Sequence, residues 1–338
     1  MRWEPVLRLA VAGIVMSLLL AQSGCAQTYA RNASMSKSGW DTYCFGRFLV
    51  DLPPQVKIGE GYTIWGSEVE TVNAGSGEFS ALVDQREHEL KSSPHDAGGS
   101  LFIERVSHAN GSASILSYER ARSKGAMWLD AYLVADGGRG AFKRSALVDP
   151  ARRQSAIEFA GALAAKMRFR EPLQIPTESG FCIDGGYIAG NEYMAESFEV
   201  GFTMPQHPGM HFSISSSTGA EEDSLLERVG GFFQTEVMGP VAGIKTLRKG
   251  RRRIGHLAGE EYSVVAVEGG QRGYGFIWEF QGRDESLSEP NVNVGLSVLE
   301  RDPDDDGNPP PPAFESDEQA LQLWDTILES IRLRPGAV

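Results

Sequence analysis

The chain lacks the loops on which most nucleotide-binding and serine-hydrolase chemistry is built. No G-x-S-x-G occurs, so no serine sits on the strand-turn-helix that would expose it as a nucleophile. Neither a Walker loop nor a G-x-G-x-x-G is present. Positive charge is scarce as well: 32 Lys and Arg stand against 45 Asp and Glu, a net charge of −13. This diffuse acidity argues against nucleic acid and against adsorption to anionic lipid headgroups, and is compatible with a basic protein partner. Cysteine is rarer still, at 3 residues in 338. The one long apolar run, Leu9 to Ala21, is too short to span a bilayer comfortably.

That run follows Arg2 and Arg8 and closes on Ser23-Gly24-Cys25, the layout of an export signal, so residues 1–25 are set apart from the fold. Ser23-Gly24-Cys25 fits a bacterial lipoprotein cleavage site that leaves Cys25 as the acylated first residue, although Gln22 stands where such sites usually carry Leu. Ordinary cleavage nearby, for example after Ala26, is the alternative. Ala26, rather than Asp, after the cysteine resembles bacterial lipoproteins sorted to the outer membrane. The expected location is therefore the periplasm, with the protein anchored to the outer membrane by lipidated Cys25 and residues 26–40 serving as a tether. Beyond Cys25 only Cys44 and Cys182 remain. In an exported chain they read most simply as one disulfide, with two buried free thiols as the alternative.

Two stretches of the mature chain resemble each other. Asp149 precedes Pro150 as a candidate N-cap, and Ser316-x-x-Gln319 is a capping-box pattern. Apolar residues follow at helical spacing, Ile157, Ala160, Ala164 and Met167 in the first stretch and Leu321, Trp324, Leu328 and Ile331 in the second. Both run into the same exit, Met167-Arg168-Phe169-Arg170 and Ile331-Arg332-Leu333-Arg334, whose arginines are favourable beside a helix C-terminus. The openings correspond loosely too, Tyr43-Cys44-Phe45-Gly46 with Phe181-Cys182-Ile183-Asp184. Duplication follows, with a boundary near 171–180 where Pro172, Pro176 and Gly180 interrupt the periodicity. A bridge between Cys44 and Cys182 would tie the two units at their starts.

Period-two alternation predicts strands through Phe198–Phe202, Met210–Ile214, Tyr274–Phe280 and Val292–Val298, and further strands around Leu101–Val106 and Met127–Val134. Helices are expected around Ser80–Lys91 and Glu221–Val229. One-faced alternation implies mainly antiparallel sheet with helices on one face. The expected class is α+β, two tandem duplicated domains over 41–172 and 173–338.

Several local patterns imitate sites. His207-Pro-Gly-Met-His211 places two imidazoles four apart, but Pro208 and Gly209 make it a loop rather than the helical face of a zinc pair. Asp302-Pro-Asp304-Asp-Asp306-Gly307 copies the opening of a calcium loop, yet Ala313 occupies the twelfth position where a bidentate Glu is needed. An acidic, stiff, solvated linker is the expected role. Arg248-Lys249-Gly250-Arg251-Arg252-Arg253 is the one basic cluster, expected as a solvated loop before a strand near Ile254. Gly269, Gly270, Gly273 and Gly275 suit a hairpin rather than a phosphate cradle. His88, His95, His108 and His256 are isolated. No cofactor and no metal are expected.

The segment Cys44-Phe45-Gly46-Arg47-Phe48-Leu49-Val50-Asp51-Leu52-Pro53 resembles the opening of the first domain in a family of type VI secretion immunity proteins, which neutralise phospholipase effectors delivered to the periplasm. Gly180-Phe181-Cys182-Ile183-Asp184 resembles the opening of that family's second domain, and Met167-Arg168-Phe169-Arg170 fits the join. The resemblance spans nearly all of the mature chain. It implies a two-domain periplasmic binder, often lipid-anchored, that clamps a lipase as a monomer in a 1:1 complex and has no enzyme activity. A non-enzymatic envelope scaffold is the alternative function. The contact residues need not lie in any motif, and the sequence does not name them.

Overall fold

The alternating segments become strands, and their order repeats. The computed structural model describes residues 35–338 except 74–75, 235–242, 269, 303–307 and 309. From residue 41 the elements are β1 (Asp41–Phe45), β2 (Phe48–Leu52), β3 (Lys57–Ile64), β4 (Ser67–Thr71), α1 (Ser76–Ser92), β5 (Phe102–Ser107), β6 (Ala113–Arg120), β7 (Ser123–Ala135), β8 (Gly140–Val148), α2 (Arg153–Lys166) and β9 (Met167–Phe169). The same order recurs in β10 (Gly180–Ile183), β11 (Gly186–Ala189), β12 (Glu196–Thr203), β13 (Met210–Ser217), α3 (Leu225–Gln234), β14 (Ile244–Ile254), β15 (Leu257–Glu268), β16 (Gln271–Phe280), β17 (Asn291–Val298), α4 (Asp317–Leu328) and β18 (Arg332–Leu333). Ser316 caps α4 as read from the sequence, whereas Asp149 caps the 3-10 turn Pro150–Arg152 that leads into α2, whose own N-cap residue, Arg152, makes no side-chain cap. Asp149 accepts from the Ala151 amide at 2.8 Å, and the Ser316 hydroxyl accepts from the Gln319 amide at 3.2 Å.

Separate sheets were the expectation; the two halves instead share one. Twelve strands run β14-β15-β16-β17-β13-β12-β3-β4-β8-β7-β6-β5, an order that reads the same from either end once the halves are matched. At its middle β3 pairs antiparallel with β12, from Lys57 opposite Thr203 to Ile64 opposite Glu196. Each half alone would leave that strand as an open edge, and pairing the two removes both.

Helices also flank both faces of the sheet, not one. Along β7, Leu129, Ala131 and Leu133 turn toward α2 and join the main core with Ala160, Leu163 and Ala164. The intervening Tyr132 turns the other way and packs with Phe79 and Val83 of α1 in a second core. The second half follows suit. Phe212 and Phe276 meet Trp324 of α4 on the inner face, while on the outer face the Leu226 amide of α3 donates to Glu260 of β15. The alternation is one-faced only in the centre of the sheet. Toward its ends enough apolar residues face outward to hold a helix.

The ends of the halves are exchanged. Hairpin β1–β2 is completed by β18 and hairpin β11–β10 by β9, so each opening hairpin takes its third strand from the other half. Leu333 lies opposite Phe48, and Phe169 lies opposite Gly186, which are matching positions in the two repeats. The exit arginines divide their work. Arg168 donates to the Ala165 carbonyl at the end of α2, as expected near a helix C-terminus. Arg170 and Arg334 are instead buried and donate to backbone carbonyls, Arg170 to Ile183 and Gly186 and Arg334 to Pro176, Glu178 and Gly180.

Three further links close this junction. Cys44 and Cys182 form a disulfide with their Cα atoms 6.0 Å apart. Gly46 and Cys182 exchange amide-to-carbonyl hydrogen bonds at 3.0 and 2.7 Å. Arg47, buried, forks onto Glu196 at 2.8 and 2.6 Å and also donates to the carbonyls of Gly190 and Ala337. Burial raises the Glu196 carboxyl above its ordinary value in spite of the Arg47 charge.

Candidate functional site

Between the strands covered by α1 and those covered by α3, the outer face of β3, β12, β13 and β17 carries no helix among the described residues. Side chains pointing there are small or polar: Gly59, Gly61 and Thr63 from β3, Ser197 and Gly201 from β12, Ser213 and Ser215 from β13. Two recesses of about 550 and 380 Å³ lie along this trough, with Lys57, Glu68, Glu199 and His211 among their lining. Gly59 and Gly61 would meet nothing within 4 Å if they carried a Cβ, so packing does not demand glycine at either position. The Thr63 and Ser197 hydroxyls hydrogen-bond each other at 2.7 Å across the central strand pair.

Matched ion pairs hold the flanking helices in place. Arg86 of α1 reaches Asp130 on β7 at 3.1 Å, and Arg228 of α3 reaches Glu279 on β16 at 2.5 Å. Both carboxylates are buried, so each pair exceeds an exposed surface bridge in strength. On the opposite face of β3, toward the junction, the buried Tyr62 packs edge-on against Phe181 and its hydroxyl donates to Glu60. Burial raises the Glu60 carboxyl above its ordinary value, and burial together with the Glu60 charge pushes the Tyr62 hydroxyl well up.

A third recess, of about 690 Å³, opens beside the β3–β4 turn and is lined by Trp65, Leu129, Arg144, Leu147, Val148, Arg152 and Phe159 among others. The turn residues Trp65 and Gly66 have φ of 50° and 67°. A two-residue hairpin with both φ positive favours Asn-Gly, and a bulky residue in its first position costs about 1–2 kcal/mol. The β1–β2 and β14–β15 hairpins put Gly46 and Gly255 at that position. Here Trp65 occupies it, half exposed at 51 % and stacked edge-on against Tyr193.

Nothing in either region assembles a reaction centre, and the comparisons with known proteins point to binding. The model of the Tle cognate immunity protein 4 N-terminal domain matches residues 41–153, and that of its C-terminal domain matches residues 174–336. The chain belongs to the Tle cognate immunity protein 4 family. It is 47 % identical to the type VI secretion immunity protein TplEi of Pseudomonas aeruginosa in its apo structure, covering 89 % of this chain and 99 % of that one with a TM-score of 0.84. A chain of the solved Tle4–Tli4 complex is 47 % identical over the same shares, with a TM-score of 0.85. TplEi in complex with an "L" peptide is 46 % identical, covering 89 % of this chain and all of that one, at a TM-score of 0.79. Among curated proteins none matches. Proteins of this family are inhibitors of effectors and not catalysts.

Set in this family, the sequence-predicted residues fall into place unevenly. Cys25, with residues 1–34, lies outside the described residues, as do positions 303–307 of the calcium-like loop. Among the described residues no helix is long and apolar enough to cross a membrane. His207 and His211 do not converge: His207 bonds the Ala313 carbonyl and stacks on Phe314, while His211 faces the trough. No cluster of potential metal ligands occurs among the described residues.

The basic cluster is a correction. Arg248–Arg253 is not a solvated loop but lies in the edge strand β14. Alternation sends Arg248 and Arg252 to the inner face, where Arg248 forks onto Asp325 at 2.5 and 2.8 Å and Arg252 reaches Glu261 and Asp325 at 3.0 and 2.8 Å. Trp324 donates to Glu261 at 2.7 Å, so the cluster pins α4 to the sheet. The trough and the Trp65 turn escaped sequence reading. A run of Gly and Ser in strands looks like weak strand, although Trp65-Gly66 between two alternating segments was a legible turn with an unexpected residue in it.

Proposed function

We propose that this chain is an immunity protein that binds a cognate type VI secreted lipase of the phospholipase kind and blocks it sterically in the periplasm. The observation that carries the proposal is the 47 % identity over 89 % of the chain to a chain of the Tle4–Tli4 complex. The trough suits the role. Glycine and serine keep much of its floor low, helices stand at both sides, and the exchanged junction lies behind it. A tight complex there would bury about 2,000 Å² or more.

The finer assignments extend the same proposal. Residues 1–25 direct export, Cys25 carries the lipid, residues 26–40 form the tether to the outer membrane, and 41–172 and 173–338 are two repeats of one ancestral unit. Support for duplication comes from the recurring element order and the matching registers of the exchanged strands. The protein acts as a monomer, one per effector. The test is phospholipase activity of the product of the neighbouring gene, titrated with residues 28–338. Stoichiometric loss of activity is expected, and unchanged activity with no complex formed overturns the proposal. Mass analysis of the exported protein should find an acylated Cys25 at its start; an unmodified N-terminus would remove the anchor and leave the immunity function standing.

A further inference from the structure

We propose that the recess beside Trp65 is a second anchor point, which takes a carboxylate carried on an apolar segment of the effector and pairs it with Arg144. This rests on the immunity function proposed above and adds a contact outside the trough.

The buried arginines of this protein show why Arg144 stands apart. Arg47 is paired with Glu196 and Arg248 with Asp325, each through two hydrogen bonds. Arg170 and Arg334 each spread their donors over three backbone carbonyls. Arg144 is only 6 % exposed, yet its Nε and Nη2 both donate to the single carbonyl of Ile64, at 3.2 and 2.9 Å. Its guanidinium also lies over the face of Phe159, 5.3 Å from the ring centroid. Among the described residues no carboxylate pairs with it, and Nη1 has no acceptor. Asp149 lines the same recess but is committed to capping the Ala151 amide. Burial alone lowers the affinity of this guanidinium for its proton, with no neighbouring anion to offset it.

A largely buried cation with no counter-ion among the described residues, whose unpaired Nη1 is not sealed from the recess, is an open position for an anion. The walls fix what carries that anion. Leu129, Val148 and Phe159 are apolar, and at the mouth Trp65 and Leu147 are exposed at 51 % and 56 %. An exposed Trp and Leu beside a buried Arg have the make-up of an interface anchor, and they extend past what a small enclosed ligand would need. Trp65 also breaks the preference of its turn, and its edge-on contact with Tyr193 still leaves half of it exposed.

The experiment compares wild type, Trp65→Asn and Arg144→Gln, each as residues 28–338, for affinity to the neighbouring lipase by calorimetry and for melting temperature. N-acetylleucine serves as a separate probe, followed through the Trp65 indole N–H resonance. Each substitution should weaken the lipase complex roughly 30-fold or more. Asn suits a positive φ, so Trp65→Asn should melt no lower than wild type, which a merely structural role for the indole would not allow. N-acetylleucine should shift the indole resonance of wild type and not that of Arg144→Gln. If wild type binds the lipase and both variants bind it as tightly, the anchor is overturned, even where N-acetylleucine still binds, since the recess then takes a small carboxylate only. If wild type forms no lipase complex, the immunity function fails; absence of an indole shift would then overturn the recess as a carboxylate site, and a shift lost in Arg144→Gln would uphold it.

Discussion

The junction and the trough both depend on glycine, for opposite reasons. At the junction a Cβ on Gly46 would lie 2.5 Å from the Phe198 ring and 2.9 Å from that of Phe181, and one on Gly186 would lie 2.5 Å from Phe142 and 2.7 Å from the Arg168 carbonyl. In the trough Gly59 and Gly61 have open space instead. Where the exchanged strands cross, glycine lets the backbone press against aromatic rings and a carbonyl of this chain. On β3 of the central pair it leaves a surface that no described residue fills. The first kind of glycine serves folding, and the second, under the proposed function, serves recognition, so substitutions in the two regions should separate stability from binding.

The largest expected effect lies at the junction. Glu196→Ala strands Arg47 as a buried, unpaired cation, at a cost of about 3–5 kcal/mol in urea unfolding. A loss below about 1 kcal/mol would mean that the carbonyls of Gly190 and Ala337 suffice for Arg47, and that the junction is less tightly coupled than its geometry implies. Next comes the disulfide, whose cysteines are 138 residues apart. Cys44→Ser with Cys182→Ser should cost about 3 kcal/mol, mainly by freeing the unfolded chain. Two alkylatable thiols in the nonreduced protein would remove the bridge from the comparison altogether. Gly46→Ala, which combines a left-handed φ of 54° with the Phe198 clash, should cost about 2 kcal/mol without changing effector affinity per folded molecule.

The parts of this fold governed by local chemistry were legible in the sequence. Ser316 announces its helix, and Asp149-Pro150 the turn that leads into α2, because capping is decided within four residues, and the alternation from Phe198 to Val298 reports a sheet with a buried face. What stayed hidden depends on partners far along the chain. Met167-Arg168-Phe169 would look the same whether it paired with its own half or the other, since a strand does not encode which edge receives it. Arg248 and Arg252 read as solvated because their carboxylates, Glu261 and Asp325, come from another strand and a helix some seventy residues away. Tyr132 alternates as a core residue, but which of two cores it joins is settled by where α1 lands. The trough is harder still to read, because its signal is the absence of side chains.

That absence supports the smallest effect on stability and the sharpest contrast with the junction. Gly59 and Gly61 have ordinary extended backbone angles and no neighbour for a Cβ, so Gly59→Ala with Gly61→Ala should hold or slightly raise the melting temperature, by removing strand glycines whose ordering costs roughly 0.5–1 kcal/mol each. Bulk at the same place has a different consequence. Gly61→Trp points an indole away from the core into the recess shared with Ser197 and Glu199, which should leave the fold intact while occupying the floor that the proposed complex uses. The expected outcome is a melting temperature within 2–3 °C of wild type, equivalent to roughly 1 kcal/mol or less, with effector affinity reduced at least tenfold. Equal affinity in Gly61→Trp would move the interface off the central strands. A collapse in melting temperature would show that glycine here serves packing after all, as it does at Gly46.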